Sequence, residues 1–531
     1  MTINYGKLFS TKITPQSEPL PGSAQVPNSA GGYAFAVDDW MRLDRFLMLG
    51  SEGGSYYATE RTLTRENAQA VERCIAADGV RMIARIVEIS DAGRAPKNDP
   101  AIFALAMAAK LGDLQTRRAA LDALPKVCRI GTHLMHFAEY LQAFGGWGRG
   151  TRTAVARWYN GRPADKLAYQ VVKYQSRDRW SNRDLLRLAH PKAASPEHDA
   201  LYRWIVRGEL PTPTVPLALG IVDAFEQAKR AREVKQIVEL IGAHDLPREC
   251  IPTEWLDEAR VWEALLGRMP LHALIRNLAT MTRVGLLVPM SEATRTVVAR
   301  LRDGKKLADA RVHPIALLAA QKTYAAGHGA RGQHTWAPVG AIVDALDEAF
   351  YAAFKLVEPA GQRLLLALDV SSSMEGGQVA GVPGLTPRVA SAALALVTAA
   401  TEPQHAFVAF TRSLSELTIS PKWRLDRVVK AVSGLPFGGT DCAQPMLWAS
   451  ARKVAVDCFV IYTDSETWAG AIHPVQALRQ YRQQTGIASK LIVVGMLSNG
   501  FSIADPSDAG MLDVVGFDTA TPALIGDFAR A

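Results

Sequence analysis

The chain has 531 residues, 48% hydrophobic and 21% charged, with 41 Gly and 29 Pro spread without a period; this is the composition of a folded globular protein of two or three domains, not of a fibrous or disordered one. No apolar run reaches the roughly 18 residues a membrane-spanning helix needs, and residues 1–20 lack the apolar core and cleavage pattern of a secretory leader, so neither is expected. The net charge of +8 favours a polyanionic partner if it is clustered, and serves only solubility if it is spread evenly.

In chain order, residues 1–28 are rich in Pro, Ser and Gly and read as an extended arm. From Asp38 to Phe354 the pattern is almost wholly helical, as in DDWMRLDRFLML (38–49), AIFALAMAAKL (101–111), PLALGIVDAFEQAKRA (216–231) and VGAIVDALDEAFYAAF (339–354). Apolar residues there recur at three- and four-residue spacing. Gly112, Pro125, Gly161, Pro191, Pro211 and Pro270 mark breaks between helices. Paired helices stacked as an α-solenoid suit residues 29–358, about seven units at 40–47 residues each, although no sharp internal repeat is visible. At Gly361 the character changes. Apolar runs RLLLALDV (363–370), HAFVAFT (405–411), VDCFVIYTD (456–464) and KLIVVGM (490–496) alternate with helical stretches at 388–400, 425–432 and 474–484. That alternation predicts a doubly wound α/β domain over 361–531.

Open parallel sheets bind ligands at the carboxyl ends of their strands. The first such strand ends in Asp369-Val370-Ser371-Ser372-Ser373, and the strand at 456–464 ends in Thr463-Asp464-Ser465. Between them the Gly-rich loop Phe437-Gly438-Gly439-Thr440-Asp441 can bring Thr440 close. Two carboxylates and three hydroxyls suit octahedral Mg²⁺, with a position left for an outside carboxylate or phosphate. The set Asp369, Ser371, Ser373, Thr440 and Asp464 resembles the metal-ion-dependent adhesion site of von Willebrand factor A domains. Ser and Asp at strand ends are also common turn and cap residues, so the site rests on all five together.

After residue 360 there are 13 Lys and Arg against 14 Asp and Glu, so residues 1–360 hold a net excess of nine positive charges. Much of it lies in Thr151–Lys192, where ten basic residues face three acidic ones. Lys166, Lys173 and Arg177 share one face if the segment is a single helix. Trp158, Tyr159, Tyr169, Tyr174 and Trp180 are interleaved. Basic side chains neutralise phosphates and aromatic planes stack on unpaired bases. The alternative is an aromatic core beneath a solvated basic face.

KYQSRDRWSNRDLLRLAH (173–190) resembles the signature of the TROVE module of Ro-type RNA-binding autoantigens. LGSEGGSYYATERTLTREN (49–67), GRAPKNDPAIFALAMAA (93–109), GGTDCAQPMLWA (438–449) and YTDSETWAGAIHPVQALRQYR (462–482) point the same way. The resemblance implies a bacterial member of the Ro family: an all-α, HEAT-like helical ring closed by a Rossmann-like von Willebrand factor A domain. It implies a non-enzymatic RNA-binding scaffold in noncoding-RNA quality control, rRNA maturation and stress response. Y RNA would bind the outer surface of the ring through Lys173, Arg177 and His190, and single-stranded ends of misfolded or precursor RNAs would enter the hole. Expected partners are Y RNA and a 3′-to-5′ exoribonuclease such as polynucleotide phosphorylase, for a cytoplasmic monomer with no membrane association. Arg179 and Asn182 depart from the Gly and His of relatives.

Other signals carry less. His133 and His136 near Cys128 lack a third metal ligand, GGWGRG (145–150) reads as a turn between helices, and Tyr351/Lys355 have no dinucleotide fingerprint beside them. The five scattered cysteines read as thiols in a reducing compartment. Two other classes stay open: an Mg²⁺-dependent protein-adhesion module with a solenoid interaction domain, and a phosphodiesterase using Asp369 and Asp464. The second lacks a general base and a second metal cluster.

Overall fold

The computed structural model describes the chain apart from residues 1–12, 51–67, 212–213, 311, 330–333, 354–358, 377–378, 380–384, 436–437, 498, 516 and 518–519. Most of the 49–67 stretch, Phe437 and Lys355 therefore lie outside the described residues.

The N-terminal segment is not simply extended. β1 (Gln25–Pro27) and β2 (Tyr33–Ala36) form an antiparallel hairpin, and β2 pairs on its other edge with Phe501–Ser502 near the far end of the chain. The distant strand satisfies backbone groups that an arm in solvent would give to water.

From Asp39 to Ala352 the described residues form α-helices of 6 to 24 residues. Local signals set their ends. Asp38 caps Asp39–Leu49 by accepting from Met41 N at 2.7 Å, and Asp113 caps Leu114–Val127 in the same way through Thr116 N. Helix Asp99–Leu111 is apolar on nearly every side and buried over almost its whole length, so it packs centrally among Gln69–Ala92, Leu114–Val127 and Gly131–Ala143. Pro125 lies inside the last turn of Leu114–Val127, not between helices as expected; the helix ends two residues later. The array returns on itself: His313, which caps Pro314–Ala326, donates through Nε2 to Arg94 O at 3.1 Å.

The segment 151–192 is not one helix. Helices Arg149–Asn160 and Ala164–Lys173 are followed by a hairpin of β3 (Ser176–Arg177) and β4 (Trp180–Ser181), then by helix Asn182–Ala189. Asp178 and Arg179 make the two-residue turn with φ of 51° and 66°, the left-handed pair that matches hairpin twist.

The second domain is built on β5 (Leu364–Asp369), β6 (His405–Phe410), β7 (Leu414–Leu417), β8 (Cys458–Thr463), β9 (Lys490–Gly495), β10 (Phe501–Ser502) and β11 (Met511–Val515). Its main sheet runs β11-β9-β8-β5-β6-β7, parallel except for the edge strand β7. β10 belongs instead to the small sheet with β1 and β2. β7, β11 and helices Gln444–Arg452 and Thr521–Arg530 add to the expected elements. Leu364, Leu366 and Leu368 face helix Pro387–Thr401 and a core continuous with the helical array, while Leu365 and Ala367 face a second core with Phe459, Ile461 and Leu478. Burial on both faces explains why β5 reads as an unbroken apolar run.

The A-type domain touches both ends of the array. Arg45 of helix Asp39–Leu49 is 1% exposed and pairs with Asp513 of β11 at 2.6 Å. At the other end Phe350 of helix Gly340–Ala352 stacks on Phe517 at 6.1 Å, and Arg424 pairs with Asp344. A domain gripping both ends closes the helices into a ring.

Candidate functional site

Strand order reverses around β5: the chain passes from β5 to β6 on one side and later places β8 on the other. This switch point opens a crevice at the carboxyl ends of β5 and β8. Asp369 is the last residue of β5 and Asp464 follows the last residue of β8, so the fold brings them to the same edge. Both are buried.

Asp369 Oδ1 accepts from Ser371 N at 2.9 Å and Oδ2 from Thr463 Oγ1 at 2.6 Å. The hydroxyls of Ser371 and Ser373 stand 2.9 Å apart, and Ser373 works to lower the Asp464 carboxyl against the effect of burial. Asp464 Oδ1 accepts from Glu466 N at 3.0 Å. Two buried oxygens, Thr440 Oγ1 and Asp464 Oδ2, have no hydrogen-bond partner among the described residues. Buried polar atoms are rarely left so without an ion or water to meet them.

The electrostatics agree. Burial, then Asp369 and Glu466, push the Asp464 carboxyl up to about 8, and burial raises Asp369 as well. The buried Arg388 guanidinium donates to Val370 O and Ser371 O and pairs with Glu375. Two buried acid groups at one sheet edge, with the Ser371 and Ser373 hydroxyls on the turn after Asp369, fit a hard divalent cation, whose charge would favour their ionised forms. Among the described residues no group of three or more His, Cys, Asp and Glu is placed to hold a metal. That includes His133, whose burial lowers it to about 4.

The basic segment gives a second surface. Trp158 and Tyr159 are core residues, as the structural alternative expects. Arg162 is also structural: its guanidinium lies 3.8 Å from the Trp158 ring centre and donates to Trp158 O and Arg129 O. Arg152, Arg157, Lys166, Arg177, Arg179, Arg183, Arg187 and Lys192 are exposed. Lys173 ends its helix half-buried between Tyr169 and Tyr174, 5.4 and 5.5 Å from their ring centres. Arg177 stands four residues on, in β3, with its side chain 59% exposed. His190 caps the opposite end of helix Asn182–Ala189, in the left-handed region at φ 45° and exposed. Eight helical residues, about 12 Å, thus separate it from the hairpin.

Helix Gly131–Ala143 anchors the hairpin. His136 Nδ1 pairs with Asp178, and Trp180 Nε1 donates to Glu139 at 2.9 Å. Asp178 is thus shared between His136 and Arg177, whose Nε stands 3.7 Å from it. Asn182 is buried, donating to Tyr174 O and accepting from Tyr159 OH, both at 2.8 Å. Asn182 therefore serves the core and not the basic surface. Among the supporting residues, Glu139 and Glu466 were not singled out in the sequence, His136 was weighed only as a metal ligand, and Thr463 only as the neighbour of Asp464. Only Thr463 and Glu466 had a local signal, since they flank Asp464.

Residues 26–211 and 245–323 match the TROVE domain, and residues 363–529 match the Ro60 vWA domain. The protein named RNA-binding protein RO60 of Deinococcus radiodurans is 45% identical over 97% of this chain and 97% of its own. The protein of the same name from Caenorhabditis elegans is 37% identical over 99% of this chain and 93% of its own. The crystal structure of the Deinococcus radiodurans RO (RSR) protein superposes with a TM-score of 0.72 at 45% identity, covering 93% of this chain and 99% of that one. Ring, A domain and both sequence signatures thus occur together and in order, and the chain belongs to the Ro60 family.

Proposed function

We propose that the chain is an RNA-binding scaffold without catalytic activity of its own. The observation that carries this is the exposed basic hairpin on a TROVE helical ring, in a chain that aligns almost end to end with proteins named for RNA binding. Y RNA lies across the outer surface of the ring, on Lys173, Arg177 and His190, and single-stranded ends of misfolded or precursor RNAs enter the hole. The role is noncoding-RNA quality control, rRNA maturation and the stress response, with a 3′-to-5′ exoribonuclease such as polynucleotide phosphorylase acting on RNA the ring presents. The phosphates supply the counter-charge for the basic excess, and their neutralisation makes binding fall with salt.

In the A domain, Asp369, Ser371, Ser373, Thr440 and Asp464 hold a divalent cation, Mg²⁺ in the cell. The unpartnered oxygens of Thr440 and Asp464 support this reading. The cation supplies an electrostatic anchor for an acidic side chain of a protein partner. Five buried free thiols suit a monomer in a reducing cytoplasm, and among the described residues no helix is long and apolar enough to cross a membrane.

The chain purified from its own cells should carry small structured RNA, seen as excess nucleic-acid absorbance that ribonuclease removes. Material free of RNA that binds a protein partner only with Mg²⁺ and Asp369 would replace this reading with the adhesion module. Cleavage of the RNA with Mg²⁺ would restore the phosphodiesterase.

A further inference from the structure

The segment before Asp38 reaches the candidate metal loops from the opposite end of the chain. Gln16, buried, lies 425 residues from Asp441 in sequence. Its Nε2 donates to Asp441 Oδ1 at 2.7 Å and to Ile472 O at 2.9 Å. Its Oε1 accepts from Thr467 Oγ1 at 2.5 Å and from Gly470 N at 3.2 Å. Both donors and both acceptor positions of the amide are thus used. Its backbone adds Gln16 N to Gly470 O and Tyr33 N to Gln16 O, each 2.9 Å. Two residues along the same segment grip the second loop: Asn28 Nδ2 donates to Thr467 O at 2.7 Å, and Ala30 N to Glu466 Oε2 at 3.0 Å.

The seat is closely fitted. A Cβ on Gly470 would fall 2.3 Å from both Gln16 Nε2 and Asp441 Oδ1, and one on Gly32 would fall 2.0 Å from Thr467 O. The two loops also meet directly, since Thr440 O accepts from Trp468 N and Ala469 N, each at 3.0 Å. Thr440 Oγ1 is left buried and unpartnered. A side chain that bonds the residue after Thr440 on one side and residues 467–472 on the other fixes where that hydroxyl stands.

We propose that Gln16 is a positioning residue for the cation site, and that residues 13–36 are an in-cis brace that holds Thr440 at the Asp369–Asp464 crevice before any ion arrives. This rests on the cation reading given above. Fixing a ligand-bearing loop beforehand spares binding the entropy of ordering it.

The test is calorimetric titration of the full chain with Mn²⁺. Gln16→Met, which keeps the volume but loses the hydrogen bonds, and Gln16→Ala should each weaken Mn²⁺ binding about tenfold, about 1.4 kcal/mol. Gln25→Ala also loosens the arm, removing bonds to Leu20 N and His473 Nδ1, and should leave the affinity unchanged. In a Thr440→Ala background, Gln16→Met should add no further loss, because the hydroxyl it positions is gone. A structural role alone would lower the melting temperature of the Gln16 variants without changing Mn²⁺ affinity, and that result overturns the proposal. Losses that add in the double variant overturn it too. Undiminished Mn²⁺ binding by Asp369→Ala would instead remove the cation site, and the brace with it.

Discussion

Arg177→Ala is the cleanest probe of the RNA surface, because the fold barely uses that side chain. It is 59% exposed and its nearest carboxylate, Asp178, is 3.7 Å away; exposed pairs of this kind contribute about 0–1 kcal/mol. Lost affinity therefore reports a lost RNA contact. Lys173 differs: its ammonium sits 5.4 and 5.5 Å from two tyrosine ring centres and donates to Tyr169 OH at 3.3 Å. Removing it costs the fold about 0.5–1 kcal/mol of cation–π attraction, a small shift in melting temperature. Each neutralised phosphate contributes about 0.7–0.9 to the slope of log affinity against log salt. Arg177→Ala should flatten the slope by about that much, and the double variant with Lys173→Ala by about 1.4–1.8. Filter binding of a small structured RNA, from about 50 to 200 mM salt, measures it. Lys305→Ala, on a separate helix and 85% exposed beside Asp309, is the control for general charge. An unchanged slope in the double variant, or an equal loss in the control, would refute the placement of the site.

Arg45→Met should destabilise the chain by about 3–5 kcal/mol, because Asp513 stays buried without its guanidinium; urea denaturation checks this, and wild-type stability would contradict it. Asp464→Asn removes an acid group that burial, Asp369 and Glu466 hold up at about 8. In chelator above that pH it should raise the melting temperature, and it should abolish any rise caused by Mg²⁺. His133 is held down to about 4, chiefly by burial, so between its ordinary value near 6.5 and pH 4 the unfolded chain binds a proton that the native chain does not. Stability is then lost as pH falls through that window, and His133→Gln should flatten the acid limb by up to about 3 kcal/mol. Parallel limbs in pH-dependent melts would show that His133 stays solvated.

The crevice at the ends of β5 and β8 was legible because the residues that line it are local in sequence. Asp369, Ser371 and Ser373 sit on one turn, and the apolar runs before them and before Asp464 could only be buried parallel strands. Gln16 was illegible for the opposite reason, since nothing around a glutamine in a Pro- and Ser-rich segment signals a partner 425 residues away. The basic segment was half legible. Charge and aromatic content marked it, but helical spacing across Lys166, Lys173 and Arg177 was misleading. The turn at Asp178-Arg179 lacks the usual Asn-Gly or Asp-Gly pair, and the pull of His136 on Asp178 helps hold it. Asn182 shows the converse: a polar residue in a basic segment that tertiary contacts bury in the core.

The pairing of β2 with β10 ties synthesis to architecture. Gln16 leaves the ribosome 456 residues ahead of Ile472, the carbonyl it must meet, which is roughly 20–90 s at ordinary rates of elongation. Throughout that interval the hairpin has an open edge, the first helix carries Arg45 without Asp513, and the helical array has nothing to close against. A transcript cut short anywhere before β10 would yield a nascent product with a bare strand edge and an unmet guanidinium, a ready target for chaperones and proteases. Closure of the ring therefore waits until β10 and β11 have been made.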